Sequence, residues 1–461
     1  MATQIEQEPL YSQLPVGQEV IFVISNNTIV ATQLNVRFIA DVYISDTTPT
    51  SISTSSVPIA TFKTTPNNAG VGIFDFKQVV ENYVSADNMA ANQSTYKTTL
   101  TTDNTPHPLH IINQYSLNKN AVRWLDIEFK TQYTDANGDV QIDTPTLAND
   151  NYQIFNGYLK YTDELSIFNN DFGFNLGNFN LSSPTDRFLT NAPATQYANL
   201  EDYGTLAFLS PNDNLSYMQL IYKNSANVQI GTEDVDKDFA NGAYATLGSE
   251  ISNRLLYFGC FPANLQNWSS TFNALVTAGT INGGSIAVRA FNVSNNAISK
   301  TYTINVNCPN LKGYESIRLC WLNQWGAWDY YTFTQKSIRS ISTKGSTYEQ
   351  LAGSWNEAAY RVDSYKGGKK AFRVNATEKI KMNSEFVSES ENEIFEELIN
   401  SPEVYILEGY QTDGAFSALN QYVKPVRLTT SSFTKKTVAN DKLIQYTFEV
   451  EKSKTLRTQS V

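Results

Sequence analysis

The chain has 461 residues and a formal net charge of -11, with 17 % charged and 41 % hydrophobic residues. That balance excludes a disordered chain and a coiled coil. The acidic charge, without a cluster of Lys and Arg, argues against nucleic acid or an anionic membrane as partner. Because Tyr and Phe number 26 and 25, the composition favours strands, and we predict a mainly β fold of about two to four domains.

The cysteines and the apolar runs indicate in which cellular compartment the protein is made. Cys260, Cys308 and Cys320 are too few and too widely spaced for a disulfide framework or a zinc site. The first residues do not lead from a basic segment into an apolar one, so we expect no secretory signal. No apolar run approaches the length of a membrane span. We therefore expect synthesis in a cytoplasm and no membrane partner.

Residues 1–165 are predicted to form a β-sandwich domain with one helix. Strand-like runs alternate with turn residues, and Asn137-Gly138 is a hairpin signal. Residues 75–84 instead have apolar positions at helical spacing, with Asp75 and Gln78 as a capping pair. A strand over residues 157–161 is predicted to close the domain.

Residues 166–185 are rich in Asn, Gly and Phe and show neither a helical nor a strand period. Phenylalanines at this density form an apolar patch when they are exposed, and such patches mark partner sites. We predict an ordered linker or interface arm that lies against a neighbouring domain or subunit through Phe168, Phe172, Phe174 and Phe179.

The remaining sequence predicts two further domains. Residues 186–335 contain strands spaced by turn signals and are predicted to form a second β-sandwich domain. From residue 336 Lys and Glu become common, and residues 336–461 are predicted to form a small α+β domain. Ser388 and Glu391 form a capping box that opens a helix, and Ser401-Pro402 ends it.

Motifs for catalysis or cofactor binding are not found. The sequence has no nucleophile elbow and no phosphate-binding glycine loop. His107 and His110 lie on a proline-rich stretch with no third metal ligand at a suitable spacing. The acidic runs at Asp135 and Asp234 lack the glycine and glutamate positions of a calcium loop. We predict no catalytic residues, no metal site, no cofactor and no enzymatic activity.

A dense aromatic cluster lies at the end of the second predicted domain. Such side chains serve either as core and interface residues or as platforms that stack on sugar rings, and the structural role is the commoner one. We predict the structural or interface role for the cluster, which consists of Trp321, Trp325, Trp328, Tyr330 and Tyr331.

The segment that carries this cluster, Leu319-Cys-Trp-Leu-Asn-Gln-Trp-Gly-Ala-Trp-Asp-Tyr-Tyr-Thr-Phe333, resembles virion proteins of tailed bacteriophages, especially crAss-like and related phages of Bacteroidota hosts. The resemblance extends over residues 383–404, 422–426 and 440–446, with weaker similarity at residues 73–80 and 203–208. In those proteins a similar strand pair precedes a small domain with one capped helix that ends in Ser-Pro. The resemblance transfers no functional residue.

The resemblance implies a structural protein of the tail, collar or baseplate region. The leading hypothesis is a non-enzymatic component that assembles as a ring or trimer from copies of itself and contacts neighbouring virion proteins. The expected location is then the virion, after synthesis in the bacterial host. Two alternatives stay open. One is a receptor- or carbohydrate-binding fibre module that recognises a host surface glycan, and the other is a polysaccharide depolymerase that uses a close pair of carboxylates.

Overall fold

The computed structural model describes residues 2–46, 57–86, 109, 114–118, 120–148, 151–160, 163, 175–210, 214–237, 254–307, 313–356, 358–409, 422–438, 443–454 and 456–457. The chain divides into two compact units. The first consists of Met1–Pro309, Leu322–Asp329 and Gly409–Leu419, and the second of Asn310–Trp321, Tyr330–Glu408 and Asn420–Val461.

Strands dominate both units, which confirms the prediction of a mainly β fold. The strands before residue 160 are β1 (Gln4–Gln7), β2 (Gln13–Pro15), β3 (Ile21–Ser25), β4 (Leu34–Ser45), β5 (Ala60–Thr64), β6 (Val71–Asp75), β7 (Tyr115–Asn118), β8 (Val122–Thr134), β9 (Val140–Ile142), β10 (Thr146–Leu147) and β11 (Tyr152–Phe155).

The following strands are β12 (Thr195–Ala198), β13 (Thr205–Phe208), β14 (Tyr217–Lys223), β15 (Gln229–Asp236), β16 (Leu255–Gly259), β17 (Ser285–Phe291), β18 (Tyr302–Val306), β19 (Ile317–Leu322), β20 (Trp328–Phe333), β21 (Ile338–Gln350), β22 (Gly353–Asn356), β23 (Ala359–Val362), β24 (Gly368–Asn383), β25 (Val404–Leu407), β26 (Val423–Leu428), β27 (Thr447–Lys452) and β28 (Leu456–Arg457). The helices are α1 (Asn27–Thr32), α2 (Lys77–Val80), α3 (Pro262–Trp268), α4 (Ser270–Thr277) and α5 (Asn392–Asn400), with 3-10 turns at Glu81–Tyr83, Leu176–Phe179 and Glu389–Glu391.

Two sheets of the first unit share an aromatic core. One has the order β1-β3-β6, and the other has the order β2-β11-β8-β4-β5 with β9 and β10 paired to β8. Phe22 of β3 lies 5.7 Å from Phe129 of β8 and 5.4 Å from Tyr152 of β11, measured between ring centroids. Rings from opposite sheets therefore fill the space between them, because each sheet presents its alternate residues inward.

Two more sheets of the first unit enclose a second core. Their orders are β12-β18-β17-β14-β15 and β13-β16-β7. Phe258 of β16 and Leu220 of β14 belong to one cluster of buried residues, which also includes Phe272 of α4. Since β7 precedes residue 165 and pairs with β16, chain on both sides of the predicted linker contributes to this sheet. The predicted boundaries at residues 1–165, 166–185, 186–335 and 336–461 stay predictions.

The second unit contains a sheet of order β20-β19-β25-β26-β27-β24-β21, with β28 paired to β24, and the separate hairpin β22-β23. The capping box of Ser388 and Glu391 is present as predicted, and the helix it opens ends before Ser401. Phe395 of α5 is buried and lies 5.4 Å from Phe448 of β27. This ring contact holds the apolar side of α5 against the sheet.

Two local predictions need correction. Residues 157–160 form no strand, because the Gly157 N–H bonds back to Phe155 O at 2.9 Å and bends the chain directly after β11. The helix predicted over residues 75–84 is only α2 followed by a 3-10 turn. Phe76 is its N-cap residue, so the predicted capping pair of Asp75 and Gln78 is not formed; Asp75 Oδ1 instead accepts the Lys77 and Val20 N–H groups. The hairpin turn at Asn137-Gly138 is confirmed, with Gly138 at φ +90°.

Candidate functional site

The predicted tryptophan motif connects β19 to β20, and we call residues 322–329 the tryptophan turn. Asn323 organises it. Its Oδ1 accepts the N–H groups of Trp325 and Ala327 at 2.9 and 3.0 Å, which is an Asx turn. Its Nδ2 donates to Leu189 O at 2.9 Å and to Asp329 Oδ2 at 3.0 Å. The buried amide therefore uses all four of its hydrogen-bonding positions, which fixes the turn.

Asp329 places a carboxylate inside this network. Its Oδ1 accepts the Thr190 hydroxyl at 2.6 Å, while Asn323 donates to Oδ2. Burial raises the pKa of Asp329 to about 6, and the two hydrogen bonds oppose that rise. Asp329 forms no ion pair with another described residue, and its carboxylate is held by these two neutral donors.

Trp325 is 1 % exposed and connects the predicted aromatic cluster with the Asn/Phe-rich segment of residues 166–185. Its indole N–H donates to Asn191 Oδ1 at 3.3 Å. Its ring lies 4.0 Å from that of Phe179, the last phenylalanine of the Asn/Phe-rich segment. Phe179 itself is buried on the 3-10 turn Leu176–Phe179. Phe168, Phe172 and Phe174 lie outside the described residues.

The tryptophan turn also requires a glycine. Gly326 has φ +69°, a left-handed conformation that side chains with a Cβ atom adopt at a cost. A Cβ atom at this position would lie 1.7 Å from Asn156 O. The backbone approaches that closely because Tyr158 N–H also donates to Gln324 O at 2.8 Å. Sequence reasoning did not identify this requirement.

The other predicted cluster residues are buried, except Tyr331, which is partly exposed. Trp321 and Trp328 are buried. The Arg318 guanidinium lies over the Tyr330 ring, with Cζ 5.2 Å from the ring centroid. Tyr331 contacts Phe395, with 4.9 Å between ring centroids. The three indoles therefore form no exposed platform on which a sugar could stack. Each indole is buried within the folded chain, and their predicted role at an interface stays a prediction.

The residues considered for metal binding form no metal site in the part of the chain that the structure describes. No group of three His, Cys, Asp or Glu side chains there could hold a metal ion. Asp135 caps its hairpin by accepting the Asn137 and Asp139 N–H groups at 2.9 Å, and these backbone bonds lower its pKa. His107, His110 and Cys308 lie outside the described residues.

The second acidic run, at Glu233 and Asp234, lies on a strand whose geometry separates the two carboxylates. Glu233 and Asp234 are successive residues of β15, so they point to opposite faces of the sheet. Glu233 Oε2 accepts the Ser269 and Tyr222 hydroxyls at 2.5 and 3.0 Å, which fixes the residue that caps α4. Asp234 instead accepts Gln219 Nε2 at 2.9 Å. Both carboxylates therefore serve the local fold.

An interaction surface is found elsewhere, on a long hairpin of the second unit that we call the β-arm, residues 338–383. It consists of β21 and β24, paired from Ile338 with Lys381 to Gln350 with Gly368, and of the hairpin β22-β23 at its end. β24 pairs with β27 from Lys379 onward and with β28 at Asn375 and Ala376. Residues 345–374 extend beyond those partners, and we call them its distal half.

The distal half exposes large apolar side chains. In β22-β23, Trp355 lies opposite Tyr360 and Gly353 opposite Val362, so the three side chains share one face. They are 72 %, 50 % and 72 % exposed, respectively. Further exposed apolar residues of the distal half are Leu351, Tyr365 and Phe372. Monomeric proteins rarely present a contiguous apolar patch of this kind, and such patches mark partner sites.

The β-arm is also basic, in contrast to the rest of the chain. Residues 338–383 contain nine Lys and Arg against four Asp and Glu, whereas the whole chain has a net charge of -11. At the base, Arg339 pairs with Glu315 and Glu378 at 2.5 and 2.9 Å. In the distal half, Arg361 and Arg373 are exposed and have no ionic partner among the described residues. This positive charge is available to a partner.

Sequence reasoning missed the β-arm, although a signal was present. Aromatic residues recur at Tyr348, Trp355, Tyr360 and Tyr365 among lysines, glycines and serines, in a stretch that has no buried strand period. Aromatic residues and arginine are the types enriched at protein interfaces.

Comparison with protein-family models and with curated proteins finds no match to this chain. Within the described residues, no helix combines the length and apolar character needed to span a membrane.

Proposed function

We propose that this chain is a non-enzymatic structural component of a tailed bacteriophage virion, located in the tail, collar or baseplate, and that it assembles into a homo-oligomeric ring or trimer. The finer domain arrangement belongs to the same proposal: two consecutive β-sandwich-like domains, one with a short helix, followed by a small α+β domain. The phage assignment is supported by the resemblance at residues 310–461, which covers the tryptophan turn and the capped helix α5.

The observation that carries the assembly is the exposed β-arm. A two-stranded hairpin is marginally stable by itself, because it has no second layer to bury its apolar face. Trp355 and Val362 are nevertheless placed on one face at the end of a long extension. Burial against a neighbouring subunit would stabilise both the extension and the contact, as expected for a structural protein that functions in an array.

Light scattering on the purified full chain tests the assembly. We expect a particle mass that is a multiple of 51.6 kDa and a ring or trimer in negative-stain images. A variant in which residues 345–374 are replaced by a short glycine-serine turn should be monomeric. Its circular dichroism spectrum should show that the rest of the chain keeps its β structure. A full chain that stays monomeric over the whole concentration range would contradict the assembly.

Immunogold labelling of intact phage particles tests the location. We expect label on the tail, collar or baseplate. Particles that carry no label, although the antibody recognises the denatured chain from the same lysate, would contradict the proposal. Neither the particle mass of the full chain nor the immunogold label depends on which surfaces of the subunit meet.

A receptor- or carbohydrate-binding module is the second candidate, and it is favoured by the exposed aromatics Trp355, Tyr360 and Tyr365. Exposed rings of this type can stack on a sugar. Titration of host surface glycans should then quench fluorescence in the full chain but not in Trp355→Phe, since the other candidate indoles, Trp321, Trp325 and Trp328, are buried. Equal responses of the two proteins would exclude the platform.

A further inference from the structure

The acidic complement of the β-arm is found on the same chain. Residues 385–408 contain eight Glu and no Lys or Arg. This segment spans the capping box, α5 and β25, and we call it the acidic segment. Glu385, Glu389, Glu393 and Glu403 are exposed there. Phe386 is 63 % exposed among them, so the segment offers an apolar contact as well as negative charge.

The folded chain holds several of these carboxylates in place without neutralising them. Glu385 accepts the Thr334 hydroxyl at 2.6 Å, and Glu403 accepts the Tyr405 hydroxyl at 3.1 Å. A neutral hydroxyl donor fixes the position of a carboxylate but leaves its charge. Glu396 differs, since it pairs with Lys435 at 2.7 Å.

The β-arm presents the opposite character. Arg361 lies opposite Ser354 in β22-β23, on the face away from Trp355, and Arg373 lies farther along β24. Arg361, Arg373 and Trp355 are exposed in the single chain, so the acidic segment of the same chain does not cover them.

We propose that the β-arm of one subunit docks on the acidic segment of a second copy of this chain. The inference rests on the proposed assembly and identifies its contact surfaces. Arg361 and Arg373 meet carboxylates of the acidic segment, and Phe386 packs against the aliphatic stems of these arginines. Two different surfaces of one chain are joined, so the contact is heterologous and generates a closed ring when the rotation between subunits closes. A second copy is preferred over other occupants because the charge complement is encoded in the same sequence.

A charge exchange tests the contact. The arm variant is Arg361→Glu with Arg373→Glu, and the acidic-segment variant is Glu385→Lys with Glu403→Lys. Each should raise the dissociation concentration, measured by light scattering on dilution, by about tenfold or more, because like charges then face each other. A chain with all four substitutions should assemble within about threefold of the unmodified protein. An equimolar mixture of the two double variants should also assemble.

The matched control is Arg37→Glu with Lys300→Glu, which changes the charge by the same amount as the arm variant at exposed positions of the first unit. It should leave the dissociation concentration unchanged. Assembly of the unmodified chain should also weaken as sodium chloride rises from 50 to 500 mM, since salt screens exposed charges. That measurement requires no variant to fold.

Failure of this contact is distinguishable from failure of the proposed function. If the acidic-segment variant assembles normally, or the fourfold variant does not recover, the docking site is wrong while the observed assembly stands. If the arm variant loses binding to an added oligonucleotide or glycan while assembly persists, the arm serves that ligand and the inference is overturned. If the unmodified chain never assembles, the proposed assembly itself fails.

Discussion

The tryptophan turn and the hairpin at the end of the β-arm both carry tryptophan, but they place it in opposite environments. In the tryptophan turn, Trp325 is 1 % exposed, packs against the tilted ring of Phe179 and donates a hydrogen bond to Asn191. At the end of the β-arm, Trp355 is 72 % exposed and lies beside Tyr360 in a hairpin without a covering layer. The same side chain in the same kind of local structure therefore supports the fold in one place and is left for a partner in the other.

This difference in exposure indicates whether each tryptophan stabilises the fold or the association of subunits. Burial of an aromatic ring within the folded chain contributes to the free energy of folding. A ring that is covered only by another molecule contributes to the free energy of association instead. Substitutions in the tryptophan turn should therefore act on unfolding, while those at the end of the β-arm should act on assembly.

The largest expected effect is on stability. Trp325→Ala should lower the free energy of unfolding of the first unit by about 3–5 kcal/mol, because it removes a fully packed ring and leaves a cavity. Trp355→Ala, the matched variant, should change the stability of the isolated subunit by less than about 0.5 kcal/mol. Urea unfolding followed by circular dichroism measures both. Equal losses in the two variants would remove the distinction between the hairpins.

Glycines offer a second test of the same comparison. Gly326 and Gly368 have φ +69° and +73°, but a Cβ atom would meet Asn156 O at Gly326 and nothing within 4 Å at Gly368. Gly368→Ala should cost about 1 kcal/mol, the penalty of the left-handed conformation alone. Gly326→Ala should cost about 3 kcal/mol, since backbone displacement is added. Thermal unfolding provides the measurement, and similar losses would show that the turn can shift away from Asn156.

Asp329 gives the tryptophan turn a pH dependence opposite in sign to that of the ion pairs at the base of the β-arm. Its pKa is raised to about 6, so between pH 4 and 6 the folded state holds a proton that the unfolded chain has released. Stability should therefore be higher at pH 4 than at pH 7 by up to about 3 kcal/mol from this group. The difference between the unfolding free energies of the unmodified chain and Asp329→Asn, followed across that range, isolates this contribution. A constant difference would contradict the pKa shift.

The smallest effect is expected at the base of the β-arm. Arg339→Ala should lower the stability of the second unit by about 1 kcal/mol or less, because its ion pairs are partly exposed. Arg339 lowers the pKa of Glu315, so the stabilisation should be present above the ordinary glutamate pKa and be lost as the pH falls. Lys344→Ala, which removes an exposed lysine of the same strand without an ionic partner among the described residues, is the control. Equal effects would show that the pairs contribute nothing.

Some features could be predicted because they depend on neighbouring residues. The Ser388 capping box and the end of α5 at Ser401 need only a few successive side chains. The hairpin at Asn137-Gly138 follows from the ease with which glycine adopts a positive φ. The strand predicted over residues 157–161 was wrong because a backbone bond to Phe155 turns the chain there.

By itself, the sequence determined the mainly β character, the capped helix and the motif that became the tryptophan turn, since composition and local spacing act within a few residues. Only the tertiary structure decided that Trp325 is internal and that Trp355 is exposed. It also decided that β21 is a strand at all, because β21 has no buried face and is specified by its pairing with β24. Burial depends on which distant segments meet, Phe179 with Trp325 in one hairpin and no covering layer in the other, and a local pattern does not contain that information.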